Sequence, residues 1–251
     1  QNITDSNKRE ETFSRMKFSY DPSNRLSIIA TLIYTELDNG YDAWAPDNNM
    51  DFNTYSNDKG EDSQRTYGHS LRANFKASES LNITSITSFT ETDLVHAYDG
   101  DWADSTYWHD NHGFDPTVEG WSYEFYDENE RNRANLIQEI RLSMGSIVLG
   151  GYFKHLKEQD EATGYLFGGI ATDAWSAYDF KEMAGYAQYE HDLTPILRLK
   201  ANVRLEQNTM DYEGTSEGLN ENWEKVELPP VEFKVEHSIL GYRGSIHYLK
   251  D

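Results

Sequence analysis

The chain has no cysteine among its 251 residues. Disulfides, zinc–thiolate centres and thiol chemistry are therefore excluded. Basic charge is scarce: 22 Lys and Arg stand against 44 Asp and Glu, a formal charge of −22. A nucleic-acid partner needs a basic stripe to displace counterions, so it is excluded too. Long apolar runs are missing, so no membrane-spanning helix is expected. The opening residues, QNITDSNKRE, lack a basic region followed by an apolar stretch, and no signal peptide is expected. Hydrophobic residues make up only 37%, low for a packed globular core. No Ser–His–Asp order, phosphate loop or HExxH motif is found, and neither an enzyme nor a cofactor is expected.

What is present is aromatic and periodic. Phe, Trp and Tyr reach 14%, whereas acidic disordered chains are usually poor in them. The organising pattern has period two. Met16, Phe18 and Tyr20 alternate with polar neighbours, and a turn is expected over Asp21-Pro22-Ser23-Asn24. Leu26, Ile28, Ala30, Leu32 and Tyr34 follow on one strand face. Tyr67, His69, Leu71, Ala73 and Phe75 repeat the design, as do Ala134, Leu136, Ile140 and Leu142. In PILRLKANVRLEQ, Leu197, Leu199, Ala201, Val203 and Leu205 oppose Arg198, Lys200, Asn202 and Arg204. Leu240, Tyr242, Gly244, Ile246 and Tyr248 close the series.

About nine strands are counted, each near ten residues or longer, enough for a tilted strand to cross a bilayer. Short turns near 22, 79, 145 and 194 alternate with long polar loops at roughly 37–64, 95–131, 159–180 and 208–236. That alternation fits an outer-membrane barrel, with short periplasmic turns and long external loops. The reading is thus all-β: an antiparallel up-and-down meander forming part of a transmembrane β-barrel, one partial domain over 1–251. All six tryptophans (44, 102, 108, 121, 175 and 223) fall in the long loops. Tyr20, Phe75, Tyr189 and Tyr248 fall near short turns, with Tyr34, Tyr67 and Phe89 toward the long loops, as two interfacial belts require. Arg72, Arg141, Arg198, Lys200, Arg204 and Arg243 are assigned to the lumen-facing side. There they either favour an anionic ligand or pair with neighbouring carboxylates.

The stretch YDGDWADSTYWHDNHGFD, 98–115, holds five aspartates, two histidines and two tryptophans. Asp99-Gly-Asp101 resembles the start of a calcium loop, but Ala103, Asp104 and Asp110 break the pattern. His109, Asp110 and His112 do not fix a metal geometry, and no metal is assigned. Paired carboxylates for glycoside hydrolysis need separations that a sequence does not give. Three readings stay open: a solvated external loop, a loop whose rings pack on adjacent loops, or a ligand mouth in which Trp44, Tyr98, Trp102, Tyr107, Trp108 and His109 supply contact area.

Four stretches resemble the barrel of TonB-dependent outer-membrane receptors: DNGYDAW, LNITSITSFTETDLVHAYDGDW, QEIRLS followed by GGYF, and YAQYEHDLTPILRLKANVRLE. The resemblance implies an internal piece, less than half, of an uptake receptor in the bacterial outer membrane. No plug, TonB box or closing aromatic strand is recognised in it. The implied partners are outer-membrane lipid, the TonB complex through the missing plug, and a small ligand such as a ferric siderophore chelate. The alternative is a soluble acidic β-sandwich that binds carbohydrate through surface tryptophans.

Overall fold

A computed structural model describes residues 5–42, 44–169 and 173–248. Ala43 of DNGYDAW and the last three residues of the chain lie outside the described residues. One antiparallel sheet contains every strand. Its strands are β1 (Glu11–Ser23), β2 (Leu26–Asn39), β3 (Glu61–Lys76), β4 (Leu81–Asp99), β5 (Tyr126–Met144), β6 (Ile147–Tyr165), β7 (Ala174–Thr194), β8 (Leu197–Leu219), β9 (Lys225–Glu227) and β10 (Val231–Tyr248). Neighbours in sequence are neighbours in space, except that β9 is a short pairing on the end of β8 and β10 takes the next full place. The nine expected strands are thus nine long strands, and the three-residue β9 is an addition.

The nine long strands run 13 to 23 residues, well beyond the ten that the periodicity marked. They extend into segments read as loop, because charged side chains on both faces hide the alternation there. Trp175 consequently lies in β7 rather than in a loop. The first turn is also corrected. Asp21-Pro22 belongs to β1, where the register shifts between Tyr20 and Ser23, and the chain reverses at Asn24-Arg25. Proline is tolerated there because it sits in a bulge on an edge strand. At the β5–β6 turn, Gly145 takes φ 54°, a conformation that costs glycine little.

Antiparallel pairing with alternating connections puts all four long loops (40–60, 100–125, 166–173 and 220–230) at one end of the sheet. Residues paired across strands share a face. Every apolar series read from the sequence falls on one common face. Ile28 faces Ala73, Ile140 faces Gly151, and Leu205 faces Leu240, with Gly185 between the last two pairs. Arg72, Arg141, Arg198, Lys200, Arg204 and Arg243 all lie on the opposite face.

The apolar band does not follow one register row. The row that starts at Tyr34 and Tyr67 runs through Glu91, Ala134, Lys157, Asp179 and Asp211 to Lys234. It begins apolar and ends charged. By β10 the band has slipped about six residues toward the short turns. That is about 20 Å of rise over about 34 Å of sheet width, a slope of about 30°. A level hydrocarbon layer crossing tilted strands produces this slip, and membrane barrels tilt by roughly 35–45°. Three polar groups inside the band satisfy one another across β4 and β5. Thr87 Oγ1 donates to Gln138 Oε1 at 2.5 Å, and Gln138 Nε2 donates to Ser85 Oγ at 3.1 Å.

The sandwich alternative is overturned. A sandwich buries the inner faces of two sheets. Here one sheet stands alone, the only buried apolar residues described are Ala97 and Ala103, and Phe18, Leu205 and Ile246 are exposed on the apolar face.

Candidate functional site

The long loops pack into one cap, and aspartates build it. Asp104 caps helix α1 (Ser105–His112) by accepting from Tyr107 N at 2.8 Å. Asp115 caps the single turn α2 (Pro116–Glu119), accepting from Thr117 N at 2.9 Å. Such caps satisfy amide groups left over at helix starts. Asp99 is a hub between two loops. Its carboxylate accepts from Asn57 N, Asp58 N, Asp101 N and Trp102 N at 2.8–3.3 Å. With four N–H donors on its two oxygens, Asp99 has little capacity left for a cation. The calcium-like Asp-Gly-Asp is therefore a loop-tying device.

Asp101 is 3% exposed. Its Oδ2 accepts from Trp108 Nε1 at 3.2 Å, while its Oδ1 is buried without a partner. Burial, and then the adjacent Asp99, push its carboxyl up to about 8. Asp110 is exposed and pairs with its neighbour His109 at 2.9 Å, which raises the imidazole.

Aromatic rings cement the cap. Trp108 meets Tyr123 at 4.5 Å and His112 at 5.0 Å, and Tyr107 meets Tyr55 of the 40–60 loop at 4.5 Å. Phe167 joins Trp121 at 5.0 Å, Phe125 at 5.2 Å and Trp223 at 6.3 Å, so three loops meet on it. Tyr165 donates to Asp58, which ties β6 to the 40–60 loop. The segment is folded, and its rings pack on adjacent loops.

The structure divides the six residues singled out as ligand contacts. Trp44 and Trp102, from different loops, lie 6.1 Å apart and are 58% and 38% exposed. Trp102 holds φ 59°, an uncommon conformation for a bulky residue that the Asp99 bond maintains. Tyr107 and Trp108 belong to the packed cluster. Tyr98 is at the end of β4, beside His96 and Tyr41 at 5.8 and 6.2 Å. His109 is exposed and pairs with Asp110. Tyr55, Asp58 and Phe167 escaped sequence reading because their partners are remote in the chain.

Four of the six inward bases, Arg141, Arg198, Lys200 and Arg204, meet carboxylates, whereas Arg72 Nε donates to Asn74 Oδ1 at 3.2 Å. Arg141 meets Glu139 at 2.8 Å, and Arg204 meets Glu182 and Glu206 at 2.6 and 2.8 Å. Arg198 and Lys200 share Glu190, both at 2.9 Å. Tyr186 lies flat across Gly150 and donates to Glu139 at 2.6 Å.

This fold matches the barrel wall of outer-membrane receptors. Its likeness to solved structures lies with the TonB-dependent receptors. The ferric yersiniabactin uptake receptor FyuA from Yersinia pestis aligns over 96% of this chain and 35% of its own, at TM-score 0.65 and 11% identity. The ferric-catecholate import receptor Fiu from E. coli K12 in its open form aligns over 98% and 46%, at TM-score 0.59 and 11% identity. The RagAB peptide importer in its closed-closed state aligns over 96% and 30%, at TM-score 0.54 and 14% identity. The chain therefore spans a third to a half of the length of these proteins, which are transport receptors and not enzymes. No sequence profile of a known family and no curated sequence matches it.

Proposed function

We propose that the chain forms part of the barrel of a bacterial outer-membrane receptor, one that imports a scarce nutrient with energy coupled through TonB. The observation that carries this reading is the apolar band, whose slope of about 30° across the register approaches the strand tilt of membrane barrels. All long loops lie at one end, where they form the external cap. Within the cap, the exposed Trp44–Trp102 pair is the capture surface, and the Trp108 cluster is its support. A ferric siderophore as ligand drew its electrostatic support from a basic lumen. Pairing of Arg141, Arg198, Lys200 and Arg204 with carboxylates weakens that support, and a ferric chelate stays a candidate ligand.

Cysteine labelling tests the placement, since the chain brings no thiol of its own. In the full-length receptor on intact cells, a membrane-impermeant maleimide should label Phe52→Cys and Trp102→Cys. It should leave Val203→Cys unlabelled until the membrane is dissolved. Labelling of Val203→Cys on intact cells refutes the placement. The cap is tested by binding and limited proteolysis on the same purified receptor. Losing Trp44 and Trp102 together should weaken binding of the transported ligand by roughly 2 kcal/mol, the scale of a hot spot. The loops should stay protease-resistant. Trp108→Ala should open the loops to protease.

A further inference from the structure

Trp44 and Trp102 come from two different loops, and Asp99 joins those loops. Its Oδ2 accepts from Asn57 N and Asp58 N of the 40–60 loop at 3.0 and 3.3 Å. Its Oδ1 accepts from Asp101 N and Trp102 N at 3.2 and 2.8 Å. The seam around this joint is closed. Ala103 is fully buried and bridges to Tyr55. Gly100 N donates to Phe125 O at 2.7 Å, and a Cβ on Gly100 would lie 3.0 Å from Phe125 Cβ. Trp102 keeps its φ of 59° through the Asp99 bond, and its ring lies 6.1 Å from Trp44.

Asp101 lies in this seam, and its Oδ1 is buried without a partner. As a carboxylate it would be a buried charge beside a second one. Four backbone amides hold the charge of Asp99, whereas Asp101 has the 3.2 Å bond from Trp108 Nε1 on its Oδ2. Two carboxyls hydrogen-bond to each other only when one carries a proton, and Asp99 is within that reach of Asp101. A proton on Asp101 therefore gives the orphan oxygen a partner. Other elements bring further titratable groups to the seam. Asp58 of the 40–60 loop takes the Tyr165 hydroxyl of β6. His112 of α1 and Tyr123 lie against the Trp108 ring, and Glu124 Oε2 lies beside Gly168. The charge acting on Asp101 is that of Asp99, and no base offsets it.

Resting on the reading of Trp44 and Trp102 as the capture surface, we propose that Asp101 is a positioning residue that works as a proton latch. Protonated, it bonds Asp99 and holds the two loops closed under Trp102. Ionised, it is repelled by Asp99 and needs water, which reaches this buried group only when the seam parts. Trp102 then loses the bond that sets its backbone and leaves Trp44. Burial, and then Asp99, raise the carboxyl to about 8 in the closed seam, against about 4 once it is opened to water. Between those values closing takes up one proton. Opening therefore rises by up to about tenfold per pH unit in that window and levels off above it.

The test is the maleimide labelling rate of Ala103→Cys in the purified full-length receptor in detergent. Dividing by the rate of the exposed Phe52→Cys removes the pH dependence of the thiol itself. Between about pH 5.5 and 7.5 the ratio should rise by at least about tenfold. Adding Asp101→Asn should make the ratio level, because its amide donates to Asp99 at every pH. Adding Asp110→Asn, which neutralises an exposed neighbour, should leave the rise intact. Heat-modifiable gel mobility of each variant confirms that the barrel is folded. A level ratio with Asp101 in place overturns the latch, and needs no further variant to do so. A rise that persists in Asp101→Asn, or that Asp110→Asn abolishes, overturns it too. Labelling needs no ligand, so the latch can fail while capture by Trp44 and Trp102 stands. Failure of the capture reading shows separately, in the binding of the receptor that lacks both tryptophans.

Discussion

At the scale of single residues, the structure turns compositional oddities into specific duties. Asp101 is the clearest case. Its carboxyl is raised to about 8 by burial, and then by Asp99, so the folded cap holds a proton that the unfolded chain releases near the ordinary carboxylate value. Stability should therefore fall as pH rises from about 4 toward about 8, because in that window the folded state binds the extra proton. Asp101→Asn, which carries no charge, should flatten that slope. Limited proteolysis of the 100–125 loop at several pH values would show it, and an unchanged slope would place the proton elsewhere. Gly150 gives a second case. A Cβ there would lie 2.1 Å from Tyr186 Cζ, so the ring could not lie flat and its bond to Glu139 would be lost. Gly150→Val should cost roughly 1–3 kcal/mol, the usual range for overpacking. Denaturant unfolding in detergent measures it.

At the scale of elements, alternation decided almost everything that the sequence made legible. The outward sets from Met16 to Tyr20, Leu26 to Tyr34 and Leu197 to Leu205 are all found on one face, since a slip of one residue would have inverted each. Strand ends were not legible. Beyond the hydrocarbon layer both faces of a strand meet water, so Lys157, Asp179 and Asp211 carry no period although they are fully paired. The cap was legible only as a concentration of Asp and Trp. Its contacts, Asp99 to Asn57 or Phe167 to Trp223, join residues far apart in the chain, and no local pattern encodes them. The β8 faces supply a test at this scale. Val203→Arg puts a charge on the apolar face and should cost about 2–4 kcal/mol near mid-bilayer. Arg204 on the other face carries more than a solvated charge. Structurally, Arg204 bridges the half-buried Glu182 and Glu206 and covers Tyr152. Its loss brings two carboxylates together unpaired. Discounted for solvent access to Arg204, the cost should be roughly 1–2 kcal/mol. Unfolding midpoints of the two variants should therefore rank Val203→Arg below Arg204→Ala, with both below the parent; a parent-like Val203→Arg would refute the face assignment.

At the scale of the whole molecule, the sheet has no second layer to cover it and no closure among the described residues. Each interior strand satisfies its backbone on both sides, but β1 and β10 are paired on one side only. β1 is exposed along its entire length, and β10 nearly so. Within a bilayer an open edge leaves a row of N–H and C=O groups without partners, at several kcal/mol for each group in hydrocarbon. In water it is a template for pairing with another chain. The apolar face adds to the problem, since Phe18, Tyr20, Tyr242 and Ile246 are all more than half exposed. The solved receptors that share this fold are two to three times longer. The polypeptide of these 251 residues, expressed alone and refolded in detergent, should therefore run as broad oligomers by size exclusion and lack the heat-modifiable mobility of a closed barrel. Supplied within a full-length receptor, the same strands should give one sharp, heat-modifiable band. A monodisperse, protease-resistant monomer formed by the 251 residues alone would show that β1 and β10 find partners without further strands, and would overturn the open-sheet account.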